Sequence, residues 1–427
     1  MGNKSRILDA IEQAIDSVSP AGARVCDLFS GSGVVAWRLG RNRPVLAVDI
    51  QEYSRVLTSA LLCPKLAPVG LAQLLDRARD RQRHLRTDDV EQLIAYERIA
   101  VQAALSGFAD QLCDIVEYGS IVSLDQYSGS IPKALETLLD RAAKSLPEGL
   151  GTVLTRYYGG TYFSYEQALA LDAIAGAVRH LQPDLRDTPL AALLGTASDI
   201  VSTVGNQFAQ PVRPRWKDGR PKVAAAGQIA RRRVVSAIEA FTQWLERYQR
   251  LAVSPHSHLV LRSDFRYALD QLPGDIAAIY ADPPYTRDHY SRFYHVLETI
   301  ALGDEPQPST VKVDGAVRLS RALYRHDRHQ SPFSIKTQVL PAFKELFRQA
   351  QRLSVPLVLS YSPYTTGTAA RPRPRLVTVV ELVQLASKYF PRVTVQSAGR
   401  VSHSKLNQAL LNGEALSDAE VLLIARP

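Results

Sequence analysis

A rigid acidic turn, Asp282-Pro283-Pro284-Tyr285, directly follows Ile276 to Tyr280, an apolar run with the length of a buried strand. Proline lacks an N–H and restricts its backbone, so the neighbouring carbonyls project from a fixed frame. One Asp282 oxygen and a carbonyl near Pro283 can accept both N–H bonds of an exocyclic amine, while the Tyr285 ring stacks on the heterocycle. The alternative is a strand-ending turn whose aspartate caps the next helix. The pattern favours a site for an aromatic amine.

A glycine turn runs from Asp27 to Gly33 and contains Phe29 and Gly31, between a predicted strand and a short helix. Its glycines let the backbone approach a ligand closely, and the helix that follows offers free N–H groups, which suits a nucleotide or nucleoside. Asp49 ends the next predicted strand, where a carboxylate can accept two hydrogen bonds from a ribose diol. Because a GxG turn alone is a weak signal, a tight structural turn remains the alternative. The combination also occurs in dinucleotide-binding enzymes, but Ala36 stands where their GxGxxG pattern has its third glycine.

The apolar runs predict an α/β fold with one doubly wound, Rossmann-like sheet. An amphipathic helix over Ser5 to Val18 leads into the first strand. The predicted strands are short apolar segments: Arg24–Leu28, Pro44–Asp49, His258–Arg262, Ile276–Tyr280, Pro356–Ser360, Val393–Ser397 and Val421–Ala425. The chain from Cys63 to about Pro255 is mostly helical in character. We therefore predict a domain in two parts, 1–62 and 256–427, interrupted by a large helical insert, 63–255.

Composition limits the class of protein. The chain has 427 residues, 46% of them apolar, and its 51 basic against 42 acidic residues give a formal charge of +9 that favours a polyanionic partner without proving one. Cys26, Cys63 and Cys113 are too few and too scattered for a disulfide framework or a zinc site. The first residues, Met1 to Arg6, lack the charged-then-apolar pattern of a signal peptide, and no run approaches the roughly 20 apolar residues that a membrane span needs. We expect a cytoplasmic protein without membrane association.

Taken in their order along the chain, these motifs resemble those of the N6-adenine DNA methyltransferases of the DNA adenine methylase type. These enzymes form a D12-like family with the motif order called alpha. Their target-recognition insert falls between cofactor and catalytic motifs. The resemblance covers most of the chain and rests on these stretches: Gly2-Asn3-Lys4, Asp27 to Gly33, Asp49, Ser263-Asp264-Phe265, Asp282 to Glu298, Ser331 to Ser334 and Leu359 to Ser362. It implies S-adenosylmethionine as cofactor, no metal, a methyltransferase sheet, and residues 63–255 as the DNA target-recognition domain.

The resemblance also implies roles for individual residues. Asp282, Pro283, Pro284 and Tyr285 would be catalytic. The cofactor would be bound by Asn3, Lys4, Asp27, Phe29, Gly31, Gly33, Asp49, Asp264 and Phe265. Asp264 and Phe265 can instead be an ordinary helix cap and a core aromatic residue, and Asp27 can be a turn-stabilising group.

Two basic segments are candidates for DNA contact. The first, Pro211 to Arg233, holds many cations and one acid, with Trp216 interleaved, which suits phosphate binding or simply a solvated loop. The second is Arg318 to Arg328, after the catalytic motif. Together with one aromatic residue, the predicted DNA-binding residues are Tyr290, Arg213, Arg215, Lys217, Arg220, Lys222, Arg321 and Arg325.

The implied activity is methyl transfer to adenine N6 in double-stranded DNA, with the base rotated out of the helix. It would serve restriction-modification, phage defence or epigenetic marking, with a restriction or defence component as a further partner. The alternatives are an RNA adenine methyltransferase, a cytosine-N4 enzyme and a catalytically silent DNA-binding subunit. Cytosine-N4 methyltransferases typically have a Ser-Pro-Pro-Tyr motif at this position. The aspartate at position 282 therefore disfavours the cytosine-N4 alternative.

Overall fold

The chain divides into two compact units in the computed structural model. The sheet unit comprises Met1–Pro64, Leu251–Tyr290 and His329–Pro427, and the helical unit comprises Lys65–Arg250 and Ser291–Arg328. The structure describes residues 4–65, 70–127, 129–203, 205, 207–284, 290–313, 315–362, 366–368, 371–373, 375–398 and 420–427. The helical unit thus includes residues 291–328, a stretch that the sequence assigned to the second catalytic part.

Most strands belong to one sheet in the sheet unit. The strands are β1 Arg24–Asp27, β2 Val45–Asp49, β3 Leu259–Arg262, β4 Ile276–Ala281, β5 Thr310–Val313, β6 Ala316–Leu319, β7 Leu357–Tyr361, β8 Thr366–Thr368, β9 Arg371–Arg373, β10 Arg392–Ser397 and β11 Val421–Arg426. The seven-stranded sheet has the order β10-β11-β7-β4-β1-β2-β3. Only β11 runs antiparallel to its neighbours in this sheet. The predicted α/β fold is confirmed, and every predicted strand is found to within one residue at either end.

The helices flank this sheet or build the helical unit. They are α1 Leu8–Asp16, α2 Val34–Leu39, α3 Glu52–Leu62, α4 Gly70–Leu85, α5 Asp88–Leu105, α6 Asp110–Tyr118, α7 Lys133–Ser145, α8 Val153–Tyr158, α9 Tyr165–Arg179, α10 Asp187–Ile200, α11 Val223–Arg233, α12 Ala237–Gln249, α13 Phe265–Asp270, α14 Tyr290–Phe293, α15 His295–Leu302, α16 Val339–Arg352 and α17 Val379–Ala386. The N-terminal helix is shorter than predicted, because Lys4–Arg6 form a separate 3-10 turn.

Side chains alternate between the two faces of the sheet, which explains its two separate cores. Cys26 packs with Phe343 and Leu359 on one face, and on the other Val25 packs with Ile11 and Val358. The central strands β1, β2, β4 and β7 are buried on both faces and read as continuous apolar runs, whereas the edge strands β3 and β10 are mostly exposed. This burial is why short apolar segments were sufficient to find the central strands.

The helical unit has a core of its own, formed mainly by α5, α6, α7 and α11. Charged partners are also buried in it. Arg233, at the end of α11, forms an ion pair with Glu97 of α5 and donates a hydrogen bond to the Gly160 carbonyl. Both side chains are almost completely shielded from solvent. This pair connects three segments that are far apart in sequence.

The strand order reverses between β1 and β4, since β2 and β3 continue on one side and β7 on the other. In open sheets of this kind, ligands bind outside the carboxyl ends of the strands at such a switch point. Leu28 donates its N–H to the Tyr280 carbonyl at 2.9 Å, so the chain leaves β1 beside the end of β4. The predicted glycine turn and the acidic turn therefore adjoin.

No helix among the described residues combines the length and the apolar character that spanning a membrane requires.

Candidate active site

The glycine turn after β1 is a tight loop that starts α2. Gly31 and Gly33 both have positive φ, 53° and 78°. Gly33 donates its N–H to the Ser30 carbonyl at 2.8 Å, and Ser30 donates to Val48 of β2 at 3.0 Å. A Cβ at position 33 would lie 2.8 Å from the Thr58 Cα of α3. Conformation and space thus both require glycine at position 33.

Gly33→Ala is expected to lower the free energy of unfolding more than Gly22→Ala does. Gly22 also has a positive φ, 71°, but a Cβ there meets nothing within 4 Å. In the control Gly22→Ala, the free energy of unfolding should fall only by the conformational cost of about 1–2 kcal/mol. In Gly33→Ala, the clash with the Thr58 backbone should lower it by about 1–3 kcal/mol more. Urea titrations of both variants measure the difference, and equal losses would contradict the close packing of the turn against α3.

Asp49 closes the loop from the end of β2. Its Oδ2 accepts the Gly31 N–H and its Oδ1 accepts the Gln51 N–H, each at 2.9 Å. Burial raises the pKa of this carboxyl to about 6, against the lowering effect of these two N–H groups. The aspartate is held in a fixed orientation, and each oxygen retains a second lone pair for a ligand hydroxyl.

Asp27, the last residue of β1, is almost completely buried, with 1% exposure. The Phe29 and Ala36 N–H groups face its carboxylate without making hydrogen bonds of ordinary geometry. Burial, followed by the negative charges of Asp282 and Asp49, raises the pKa of Asp27 to about 8. No hydrogen bond of ordinary geometry offsets the cost of burying the charged Asp27 carboxylate. A ligand ammonium group beside it would therefore stabilise the charged form.

Aromatic side chains form one wall beside the turn. The Phe29 ring lies 5.7 Å from Phe265 and 5.5 Å from Phe333, measured between ring centres. Asp264 caps α13, because its side chain accepts the Arg266 N–H at 2.9 Å, and the Arg266 guanidinium also binds both carboxylate oxygens. Although burial opposes it, the Arg266 contacts keep the pKa of Asp264 below its usual value. The helix-cap alternative for Asp264 is therefore observed.

Asp282 directly follows β4, and its carboxylate forms an ion pair with the Lys4 ammonium group. Lys4 Nζ lies 3.0 Å from Asp282 Oδ1, 2.6 Å from Glu420 Oε1 and 3.0 Å from Ser360 Oγ. The Asp282 side chain remains 22% exposed, whereas that of Lys4 is 7% exposed. Burial raises the pKa of Asp282, Lys4 lowers it, and the charge of Glu420 raises it again. Glu420 was not identified from the sequence, and Ser360 was included there only in the stretch Leu359 to Ser362, without a role.

Most predicted cofactor and catalytic residues thus lie along one edge of the sheet. Pro283 and Pro284 follow Asp282 within the described chain, whereas Asn3 and Tyr285 lie outside the described residues. Tyr290 is the first residue of α14 and is 38% exposed.

The predicted DNA-binding residues of the first basic segment form a small hairpin in the helical unit, residues 213–222. Trp216 and Arg220 are joined by a backbone hydrogen bond of 2.8 Å, and Gly219, with φ of 86°, makes the turn. Trp216 is 59% exposed, and Lys222 Nζ lies 5.0 Å from its ring centre. Arg213, Lys217 and Arg220 are also exposed. The hairpin presents an aromatic ring among cations, although Arg220 is paired with Asp218.

Three of the predicted DNA-binding arginines are engaged within the helical unit. Arg215 binds Asp110 and Asp114 at 2.8 and 2.7 Å. Arg325, only 3% exposed, binds Asp304 through both terminal nitrogens. Arg321 donates to the Val212 carbonyl at 2.6 Å. These contacts hold loops and strands of the unit together, and the proposed binding of the three arginines to DNA stays a prediction.

Metal ligation was expected to be absent. Within the part of the chain that the structure describes, no three His, Cys, Asp or Glu side chains are grouped so that they could hold a metal ion.

Comparison with known proteins adds the family. The sequence pattern described as the D12 class N6 adenine-specific DNA methyltransferase matches residues 1–95 and 242–357. The chain belongs to this family. Both motifs at the sheet edge fall within the matched ranges, and the gap between them lies in the helical unit. A methyltransferase family of this class implies S-adenosylmethionine as the methyl donor.

Two curated proteins are similar to the chain. It is 23% identical over 429 residues to the modification methylase LlaI of Lactococcus lactis subsp. lactis, an alignment that covers 99% of this chain and 54% of that protein. It is 25% identical over 248 residues to the Type II methyltransferase M.NlaIII of Neisseria lactamica, covering 55% of this chain and 64% of that one. The chain therefore spans about half the length of the first relative and less than two thirds of the second.

Proposed function

We propose that the chain methylates the N6 amine of adenine in double-stranded DNA, with S-adenosylmethionine as the methyl donor. The observation that carries this proposal is the meeting of two turns at the switch point of the sheet. The Asp282-Pro283-Pro284 turn supplies acceptors for an amine, and the Gly31 to Gly33 turn beside it supplies a cradle for a nucleoside. Asp282 and Asp27 are close enough to influence each other electrostatically.

The residues present fit the cofactor. Asp49 would hold the ribose hydroxyls with the lone pairs left over from its backbone hydrogen bonds, and Phe29 and Phe265 would flank the adenine. The buried Asp27 carboxylate, without a donor of ordinary geometry, suits an ammonium group. Gly31 and Gly33 leave room for the ligand where a side chain would intrude. When bound, this cofactor supplies an electrophilic methyl group on a positively charged sulfur.

The chain itself would mainly orient the amine. An arylamine lone pair is delocalised into the ring, which makes the nitrogen a weak nucleophile. If Asp282 and a carbonyl of the proline turn accept its two N–H bonds, the nitrogen becomes more pyramidal and its lone pair points away from the acceptors. Catalysis then consists of orientation and electrostatics. Asp282 need not be a strong base, because the methylated ammonium product is acidic enough to lose its proton afterwards.

The target adenine must leave the duplex to reach this edge of the sheet, at a cost of a few kcal/mol. Stacking on an aromatic ring offsets part of this cost. Tyr285 and Tyr290 are the proposed stacking residues, on the strength of their position after the acidic turn.

Lys217→Ala is expected to weaken duplex binding and to reduce the slope of log K against log salt by about 1, because the exposed lysine of the hairpin would no longer neutralise a phosphate. Fluorescence anisotropy at several salt concentrations measures both quantities. Lys133→Ala provides the control, since Lys133 is also exposed and begins α7 of the same unit. If the two variants behave alike, the hairpin is not a phosphate contact.

The biological setting is proposed from the printed names of the two relatives, a modification methylase and a Type II methyltransferase. These names favour a role in DNA modification. A restriction enzyme or another defence component as partner, and a cytoplasmic location, are part of the same proposal.

The function is tested by incubating the protein with labelled S-adenosylmethionine and matched sets of duplex DNA, single-stranded DNA and structured RNA. We expect label in duplex DNA, in one short sequence motif. Preferential labelling of RNA would overturn the DNA assignment, and cofactor binding without transfer to any substrate would favour the silent-subunit alternative.

A further inference from the structure

Three charged side chains and one hydroxyl, from four separate segments, meet at the catalytic turn. Lys4 precedes α1, Asp282 follows β4, Ser360 lies near the end of β7, and Glu420 directly precedes β11. The Lys4 ammonium contacts the other three side chains at distances of 2.6 to 3.0 Å. Lys4, Ser360 and Glu420 are 6%, 0% and 9% exposed.

The sheet geometry explains why these residues meet. Tyr280 and Val358 are paired in β4 and β7, and Leu422 of β11 pairs with Ser360. Because side chains two residues apart share a face, Asp282, Ser360 and Glu420 project from the same face of the sheet. Since β11 is antiparallel, its amino end lies at the same edge as the carboxyl ends of β4 and β7.

We propose that Glu420 and Ser360 are positioning residues for the reaction: they hold the Lys4 ammonium against Asp282 Oδ1, so that Oδ2 is presented to the adenine amine. This inference rests on the proposed function. A lysine has three donors and a flexible stem, so one carboxylate alone fixes it poorly. Three acceptors from three segments restrict both its stem and its direction.

Glu420 is itself well anchored. Ala398, the residue after β10, donates its N–H to the Glu420 carbonyl at 3.0 Å, and Ser397 pairs with Val421. The backbone at position 420 is therefore fixed by the sheet on the side of β10. A carboxylate held in this way is a suitable anchor for the lysine.

The cluster also sets the charge balance around Asp282. The titratable groups that act on it are Lys4, Glu420 and Asp27, while the buried Tyr280 hydroxyl lies in the same field. The lysine favours ionised Asp282, whereas the charge of Glu420 disfavours it. Removing either charge should shift the ionisation of Asp282, and the two shifts have opposite signs.

The experiment compares the pH dependence of methyl transfer for three variants of the full chain. Lys4→Met removes the stabilising cation, so the acid limb of the profile should move to higher pH. Glu420→Gln keeps an acceptor for the ammonium but removes the negative charge, so the limb should move to lower pH. Each shift should be about one pH unit. Glu420→Ala also removes the acceptor, and kcat should fall roughly 10- to 100-fold, with the KM for the cofactor unchanged.

A second measurement does not depend on activity. The Asp282 carboxyl, assigned by its loss in Asp282→Asn, is titrated by carbon-13 NMR in the free protein, where Lys4→Met and Glu420→Gln should again shift it in opposite directions. Glu148→Gln, an exposed change in the helical unit, should leave both profiles unaltered. Methyl transfer with coinciding profiles for all variants would overturn the positioning role alone. If the unaltered chain transfers no methyl group to DNA, the proposed function fails and the inference fails with it.

Discussion

Asp282→Ala is expected to lower the rate of methyl transfer by at least about a hundredfold, the usual effect of removing one well-placed polar group from a transition state. The substitution removes the acceptor that would orient the adenine amine and leaves the Lys4 ammonium without one of its partners. Single-turnover measurements with saturating cofactor separate this loss from weaker binding. Cofactor affinity, measured by calorimetry, should change far less than the rate.

Asp275→Ala is the matched control. Asp275 directly precedes β4, so it lies at the opposite end of the same strand, and its side chain is 60% exposed beside Arg24. This variant should methylate DNA at nearly the unaltered rate. Equal rates for the two variants would contradict the role of the acidic turn.

Arg233→Met is expected to destabilise the helical unit by about 3–5 kcal/mol, because it leaves the buried Glu97 carboxylate without its cation. Burial already raises the pKa of Glu97 despite the lowering effect of Arg233. Without Arg233 this pKa rises further, so the variant gains relative stability at low pH, where Glu97 is protonated, and loses it as the pH rises through the folded-state pKa. Urea unfolding at several pH values measures the effect.

Two controls accompany this variant. Arg231→Met changes an exposed arginine on the same helix and should cost little. The double variant Glu97→Leu with Arg233→Met removes both charges and should be more stable than Arg233→Met alone, since no carboxylate remains buried without a partner. A double variant as unstable as the single one would show that packing, rather than charge, dominates at this position.

The positions of the two turns could be predicted because each directly follows a short apolar strand. Gly31, Gly33 and Asp282 stand where parallel strands end, and the carboxyl ends of such strands meet at one edge. The pairing of β1 with β4, which the structure shows, is what brings the two turns together. The boundaries of the central strands were accurate because these strands are buried on both faces and therefore read as short apolar runs.

Glu420 and Ser360 could not be found in this way. Their meeting with Lys4 depends on the register of β7 and β11 and on the reversed direction of β11. A pattern of apolar residues predicts that a strand exists but does not determine its neighbours or direction. Glu420 is also separated from Lys4 by 416 positions in the sequence.

The protein contacts of the predicted DNA-binding arginines could not be predicted either, for a different reason. A basic segment indicates charge, but whether an arginine is free depends on acids elsewhere in the fold. Arg215 meets Asp110 and Asp114 of α6, about a hundred residues away along the chain. Arg325 meets Asp304, which lies only 21 positions away but is brought to it by the local fold. Neither pairing has a sequence signature.

The central claim is that this sheet edge methylates the N6 amine of adenine. It is tested most directly by digesting duplex DNA, after reaction with isotopically labelled S-adenosylmethionine, to nucleosides and identifying the labelled product by mass spectrometry. The account predicts N6-methyl-2′-deoxyadenosine, formed by the unaltered chain and lost in Asp282→Ala. Label in N4-methyl-2′-deoxycytidine, or undiminished N6-methyladenine from Asp282→Ala, would contradict it.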